Sequence, residues 1–474
     1  MVSALPLFGT AGARGPYPEK INPRLIYSVA LAAARHIADS KGSAVVGHDS
    51  RLTSPLLSLA TASGFMAGGM DVILIGTAPL PVVAYEVKRS RSSLGASISA
   101  SHNPPMDNGI KLLKKDGMEL FRAEESSLEG YINSATEVPW DRVGYFTTEN
   151  YAVESYINEA LEFVDTSLWR RADRPKVLVD CANGAASAVT PKLLREAGFE
   201  KIISVNCNLD GTFPGRLPEP RPDVMASLQP VLEGSNAEVL LAHDGDADRL
   251  AVLTRGLGFV KQDLIIALLA QRKLSESKGN VVVSVDVGYE VQEVVEKTGG
   301  KIVRAPLGRL HEYMDSNTLM AAEPWKLIDP KWGPWPDGIF QALLLLDEVM
   351  RRGRSVNEVI LSLPSYPSAR LSFLVGSESD KEQLYEVLSR RAEKLLGVKV
   401  TSLLAIDGVR VEGEDGSWLL VRKSGTEMKV RVYAQATKPA RLKDIIDNVK
   451  AVASSTSDRA RPSVLSVEEA INMA

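Results

Sequence analysis

Two stretches of this chain hold side chains whose types and spacing suit chemistry. The first, residues 95–111, reads GASISASHNPPMDNGIK, a short apolar run opening into a turn dense in serine, histidine, asparagine and proline. Such residues end a strand in a tight exposed loop, and open α/β sheets bind ligands outside the carboxyl ends of their strands. Ser101 is the hydroxyl we select as the reactive group, although local chemistry does not separate it from Ser99. An inert polar turn would read the same way from this stretch alone. The G-x-S-x-G turn of ordinary serine hydrolases surrounds neither serine.

The second stretch is AHDGDADR, residues 242–249, where Asp244, Asp246 and Asp248 alternate with Gly245 and Ala247 between two apolar runs. Three carboxylates this close repel unless a cation joins them, and all-oxygen ligation suits magnesium, which keeps positions for water or phosphate oxygens. An EF-hand is excluded, because its sixth and twelfth positions would be Arg249 and Arg255. The bland alternative is an aspartate-rich turn capped by Arg249. A phosphoserine at Ser101 would carry about −1.5 to −2 charges near neutral pH. A cation beside it would offset that charge and polarise the phosphorus for transfer.

Two glycine-containing loops are weaker signals. Residues 8–15, FGTAGARG, surround Arg14 with glycines but follow no strand-like run and do not match the dinucleotide fingerprint. Residues 422–427, RKSGTE, place Arg422, the hydroxyls of Ser424 and Thr426 and the amides around Gly425 where they suit a phosphate dianion, with Arg431 close behind. Taken alone, that loop is better explained as a hairpin turn. No Walker pattern occurs, which argues against a P-loop nucleotide enzyme.

The elements that must position these loops alternate between strand and helix patterns. Residues 44–47, 72–76 and 94–98 read as strands, with helical patterns over 55–66 and 81–87. The theme restarts at 176–180, with a helix over 191–197 and strands at 201–205 and 239–242, and again at 281–286, followed by 290–297, 301–305, 319–322 and a long apolar-periodic stretch at 337–350. Three similar α/β units imply an internal repeat. Beyond them, residues 370–375, 400–404, 409–412, 418–422 and 429–435 are strand-like with few helices between, an α+β pattern; 454–462 reads as a polar connector to a short final helix. Strand ends in different units carry Asp49, Ser101 and Asp244, which suggests a site assembled where domains meet.

At 474 residues the chain is too long for one core. With 45% hydrophobic and 24% charged residues it has the mixture of a globular protein, and a net charge of −4 without a basic run gives no footprint for nucleic acid. Apolar runs such as 264–270 are far short of a membrane span, and the N-terminus has no signal-peptide pattern. Two cysteines, Cys181 and Cys207, make no disulfide framework and match no zinc spacing, so a cytoplasmic, reducing location is expected.

The four loops, FGTAGARG, ISASHNPPMDNGIK, HDGDADR and RKSGTEMKVRVY, taken in order, resemble the four signature loops of the α-D-phosphohexomutase superfamily, as do the landmarks PEP at 218–220 and DG at 407–408. The resemblance covers nearly the whole chain. It implies an α/β protein of four domains around a central cleft, three related α/β domains with mixed sheets and a C-terminal α+β domain like the TATA-binding protein. On that pattern the domains fall at 1–153, 154–256, 257–366 and 367–474. By the same resemblance Ser101 is the phosphorylated serine, and Asp244, Asp246 and Asp248 together with it bind Mg2+. Arg14, Lys111, His102 and Arg249 flank the transfer, and Arg422, Ser424, Gly425, Thr426 and Arg431 hold the phosphate that is not reacting.

The implied reaction interconverts hexose 1-phosphate and hexose 6-phosphate through a hexose 1,6-bisphosphate, which also serves as activator. Lys111 or Arg14 could assist proton removal if neighbours lowered the lysine pKa from its usual value near 10.4. The chain departs from the family in its third unit. Where relatives show G-E-x-S-G-H, it has AAEPWKLIDPKWGPW, so Glu323 matches but Trp325 and Lys326 do not, and no histidine follows. Glu323, Trp325, Lys326 and Arg309 are the sugar-binding candidates, whereas Trp332 and Trp335 are better read as domain anchors. Glucose and mannose phosphates are the expected substrates, glucosamine phosphate the alternative. A magnesium-dependent phosphatase or a non-catalytic sugar-phosphate sensor are the competing classes.

Overall fold

The computed structural model describes residues 6–9, 12–38, 42–424 and 428–456, and the backbone of 461–468. Gly425 and Thr426 therefore lie outside the described residues. The chain divides into two compact units: Met1–Val260 with Trp325–Val359, and Lys261–Pro324 with Ile360–Ala474.

In the first unit, a six-stranded sheet runs in the order Ala13–Pro16, Asp107–Lys114, Leu94–Ile98, Ser43–His48, Asp71–Thr77, Phe146–Thr148. The last four strands are parallel; Leu94–Ile98 and Ser43–His48 are largely buried by helices such as Pro23–His36 and Leu80–Arg89, whereas Phe146–Thr148 at the edge is exposed. Asp107–Lys114 turns back antiparallel beside Leu94–Ile98, and Ala13–Pro16 adds antiparallel to it. Neither of these two antiparallel strands has the long apolar alternation that would mark it in sequence, yet they carry Lys111 and Arg14.

The second sheet of this unit runs Gly258–Phe259, Leu250–Thr254, Val239–His243, Val177–Asp180, Ile202–Val205; the last three strands are parallel, and Leu250–Thr254 pairs antiparallel with both its neighbours. The two cysteines follow its parallel neighbours Val177–Asp180 and Ile202–Val205. Against the expectation of unlinked thiols, they are joined as Cys181–Cys207, because adjacent parallel strand ends bring them together.

Trp332 and Trp335 are buried rather than superficial. Their indoles and the Tyr156 hydroxyl donate to Asp337, which caps the helix Gly338–Arg352 by accepting from Phe340 N. They anchor that helix, as the domain-anchor reading required.

In the second unit, Lys301–Ala305, Asn280–Ser284 and Thr318–Glu323 lie parallel, with helices Gln262–Glu276 and Tyr289–Lys297. A six-stranded antiparallel sheet follows, in the order Val400–Leu404, Val409–Gly413, Trp418–Lys423, Lys429–Gln435, Ser368–Leu374, Arg461–Glu468. Helices Glu378–Arg390 and Pro439–Thr456 cover its apolar face. The expectation of few helices there is wrong: their polar faces masked a 3.6-residue period. So is the expected connector and final helix. Pro439–Thr456 takes up the start of that segment, residues 457–460 and 469–474 lie outside the described residues, and 461–468 pair as a strand with Ser368–Leu374, whose open edge supplies backbone partners. No helix among the described residues is long and apolar enough to cross a membrane.

Candidate active site

Ser101 closes the turn after Leu94–Ile98 in a left-handed conformation, φ 52°. Such a backbone is costly for serine and persists only where its surroundings over-determine it. Here they do. Asp49 accepts from Ser99 Oγ at 2.7 Å, and Ser99 Oγ in turn accepts from Ser101 N at 2.7 Å. Arg51, fully buried, pairs with Asp49 at 3.0 Å and donates to the carbonyls of Ser101, Asn103, Pro104 and Asp107. The network separates the two serines. Ser99 is consumed in holding the loop, and the hydroxyl of Ser101 is left to donate to Asp244 Oδ2 at 2.6 Å. Within that loop Ser101 is completely buried, whereas Pro104 and Met106 are exposed as expected. Arg51 went unrecognised in sequence, although its place two residues after Asp49 was a usable signal.

The three aspartates lie in the turn between Val239–His243 and Leu250–Thr254, where Leu250 pairs with His243. All three are buried, and one carboxylate oxygen from each lies within 4.8 Å of the others. The turn is pinned from both α/β domains of this unit: Ala185 N donates to Gly245 O, and Leu80 N to Asp246 O, each at 2.9 Å. Gly245 is required by proximity, for a Cβ there would stand 2.6 Å from Ser101 O. Thus two loops separated by 143 residues meet backbone to side chain.

Cations surround the carboxylates. Lys111 Nζ lies 2.7 Å from Asp248 and 3.2 Å from Asp246, Lys326 Nζ lies 3.1 Å from Asp248, and Arg249 Nε stands 3.9 Å from both Asp244 and Asp248. Arg14 is brought alongside by the register Arg14↔Gly109. Its Nε and Nη2 are buried with no hydrogen-bond partner among the described residues, donors suited to an anion. Burial, together with Asp246 and Asp248, raises the Asp244 carboxyl to about 7. Burial also opposes ionisation of Asp248, but Lys111, Lys326 and Arg249 outweigh it and hold that carboxyl well below its ordinary range.

Lys111 behaves oppositely to the sequence expectation. Burial disfavours its charge, yet Asp246, Asp248 and Glu119 prevail and raise its pKa above the ordinary lysine value. These carboxylates favour the ammonium form and do not supply the lowering that a base would need. His102, 3.3 Å from Ser101 Oγ, is kept neutral by burial and by the charges of Arg249 and Arg14.

Of the sugar candidates in the first unit, Lys326 faces Asp248, and Trp325 packs against the apolar core of the second sheet with Arg249 over its ring. In the second unit, Glu323 accepts from Gly308 N at 2.6 Å, and the adjacent Arg309 lies 3.4 Å from Glu312. Asp407 accepts from Leu307 N and pairs with Arg422 at 2.6 Å. Arg422 stands opposite Arg431 in the sheet, and Ser424 N bonds Lys429 O at the mouth of the hairpin. The sugar and phosphate candidates of this unit are therefore linked through residues 307–309 and Asp407.

Four profiles match in succession: phosphoglucomutase/phosphomannomutase α/β/α domain I at residues 5–139, domain II at 154–258, domain III at 261–366 and the C-terminal domain at 379–452. The chain belongs to the phosphoglucomutase/phosphomannomutase family. It is accordingly an intramolecular phosphotransferase with the four-domain α/β fold of these phosphomutases. A curated member, the phosphopentomutase of Thermococcus kodakarensis, is 38% identical over 93% of this chain and 96% of its own. A probable phosphoglucosamine mutase of Methanopyrus kandleri is 35% identical over the same shares, 93% and 96%. Among solved structures, a phosphoglucomutase/phosphomannomutase family protein from Burkholderia thailandensis superposes with a TM-score of 0.84 at 23% identity, covering 96% of this chain and 98% of that one, a likeness of fold.

Proposed function

We propose that this phosphomutase carries its phosphoryl group on Ser101 and moves phosphate between the 1-hydroxyl and the terminal hydroxyl of an aldose through a sugar bisphosphate. The observation that carries the reading is the 2.6 Å bond from Ser101 Oγ to a carboxylate of the buried triad. Both oxygens of Asp246 and Oδ1 of Asp248 are buried with no hydrogen-bond partner among the described residues, an arrangement that fits a hard cation with oxygen ligands. Asp244, Asp246, Asp248 and a phosphoryl oxygen on Ser101 would hold magnesium, which supplies Lewis-acid polarisation of the phosphoryl when bound.

The chain's own part is alignment and charge. A sugar hydroxyl attacks the phosphorus, the bond from phosphorus to Ser101 Oγ breaks, and the reverse transfer from the other phosphate restores it. In each transfer the attacking hydroxyl releases one proton and the leaving oxygen, Ser101 Oγ in the first and a sugar oxygen in the second, takes one up, so no net proton is required of the protein. Arg14 offers buried donors to the phosphoryl oxygens, Lys111 and Arg249 offset charge, and neutral His102 hydrogen-bonds Ser101. Arg422, Ser424, Gly425, Thr426 and Arg431 clamp the idle phosphate, and Glu323 and Arg309 face the sugar. Hexose 1,6-bisphosphate primes Ser101. The domain limits read from sequence, 1–153, 154–256, 257–366 and 367–474, give the Arg14 and Ser101 loops to the first domain, the aspartate turn to the second, the sugar-binding loop to the third and the phosphate-binding loop to the fourth.

The sugar is the finer question. Glucose and mannose phosphates were expected on a loop whose small polar residues and histidine this chain lacks. With Trp325 in the core and Lys326 on Asp248, that loop offers the ring little beyond Glu323. This sparse set, with the 38% identity to a protein named phosphopentomutase, puts a pentose 1-phosphate and 5-phosphate pair first and glucosamine phosphates second.

Beyond the roughly 16 Da of the substitution itself, Ser101→Ala should lose about 80 Da from the intact mass of the purified protein, the weight of one phosphoryl group. It should also lower turnover by more than about a thousandfold. Full activity in that variant refutes the assignment. A side-by-side assay of ribose, glucosamine, glucose and mannose 1-phosphates, each primed with a trace of bisphosphate, selects the sugar. Free phosphate outrunning isomer would instead favour a phosphatase.

A further inference from the structure

Lys326 occupies the segment that the family resemblance assigns to sugar recognition, yet its ammonium lies 3.1 Å from Asp248 Oδ2, the oxygen that Lys111 already holds at 2.7 Å. It is not there by the accident of a loose side chain. Lys326 is 8% exposed and opens the buried strand Lys326–Ile328. The preceding residue, Trp325, is fixed in a left-handed conformation, φ 72°, with its carbonyl accepting from Leu250 N at 2.8 Å and its ring against the core of the second sheet. A bulky residue keeps such a backbone only where several contacts enforce it. The strain at Trp325 delivers Lys326 to the aspartate turn.

Asp248 Oδ2 thus meets two ammonium groups, and a cation seated on the triad must share that oxygen with both. Lys326 places a positive charge 3.1 Å from it. Against a divalent cation that charge is repulsive, and in a buried site it is poorly screened. Against a phosphoryl group it is attractive. We propose that Lys326 is a positioning residue of the phosphoryl-transfer site: acting through Asp248 Oδ2, it weakens the triad's hold on a divalent cation, so that tight binding requires the added negative charge of phosphorylated Ser101. This inference rests on the reading of the triad as a cation site.

The test titrates chelator-treated protein with magnesium by calorimetry, with the Ser101 phosphorylation state of each sample matched by intact mass and folding checked by thermal melting. Lys326→Met should bind magnesium roughly tenfold tighter than wild type when Ser101 is unphosphorylated. Lys326→Arg should bind as wild type does. If Lys326 only braces the loop, its loss weakens binding or leaves it unchanged; that result in Lys326→Met, or in Lys326→Gln should the first variant fail to fold, overturns the proposal. A changed KM for one sugar at unaltered magnesium affinity makes Lys326 a sugar reader and also overturns it. Wild-type protein that binds no magnesium removes the cation reading and this inference together, whereas failure of Lys326→Met alone leaves the cation reading standing.

Discussion

Ser99 and Ser101 have the same hydroxyl and nearly the same neighbours in sequence, and what distinguishes them is the carboxylate each one meets. Ser99 donates to Asp49, a structural acid already paired with Arg51; Ser101 donates to Asp244, one of three acids crowded together. Two other residues show environment overriding type. Lys111 is held protonated by Asp246 and Asp248 despite complete burial. His243, completely buried between Thr190 and the Arg249 carbonyl, is drawn down to about 4 by the loss of water. Its unfolded pKa is about 6.5, so between about 6.5 and about 4 the unfolded chain binds a proton that the folded chain refuses. Folding stability should therefore be fully present above that window and fall as pH drops through it, by up to about 3 kcal/mol from this residue. Denaturant midpoints at pH 7.5 and 5 for wild type and His243→Gln measure it. An equal pH slope in both proteins would show that His243 is not the cause.

At the scale of elements, the site is two turns held by their own domains and pressed together. The serine turn owes its shape to Asp49 and Arg51, and the second α/β domain repeats the device. There Asp180 ends the strand Val177–Asp180 and pairs with buried Arg216, which donates to the His243 carbonyl just before the aspartate turn. Asp49 was visible as a marked strand end, but its arginine partner was not singled out. The Asp180 pairing spans 36 residues, a separation that local pattern does not reach. Gly245 is the tightest point between the turns. Gly245→Ala should push the aspartate turn from Ser101 O and cut turnover by about 10- to 100-fold, with a stability loss of about 1–3 kcal/mol. Steady-state kinetics beside a melting curve check this; wild-type turnover would mean the turns have slack that the 2.6 Å approach denies.

At the scale of the molecule, each unit joins more than one domain. In the second unit, Arg410 binds the C-terminal sheet to the parallel strands: buried, it donates to the carbonyls of Val285 and Val287, pairs with Glu412 at 2.8 Å and lies 3.9 Å from the Trp418 ring centre. Burial lowers its pKa, so the charge is kept at a cost that its partners offset. Arg410→Met removes the donor to the Val285 carbonyl and one of two donors to the Val287 carbonyl, which Arg304 also meets at 3.1 Å. It should destabilise this unit by about 3–5 kcal/mol, seen as an earlier transition in calorimetry; an unchanged melting profile would disprove the role.

The strand Leu94–Ile98, the strand Val400–Leu404 and the alternation of α/β units were legible in sequence because period and turn chemistry are local properties. So were the serine turn and the aspartate triplet, whose residue types declare their chemistry at a spacing of one or two positions. The antiparallel strands carrying Arg14 and Lys111, the raised pKa of Lys111, the disulfide and the turn of Lys326 onto Asp248 were decided only in three dimensions. Each depends on which charges and backbone groups arrive from distant parts of the chain, and on the exclusion of water from the space they share.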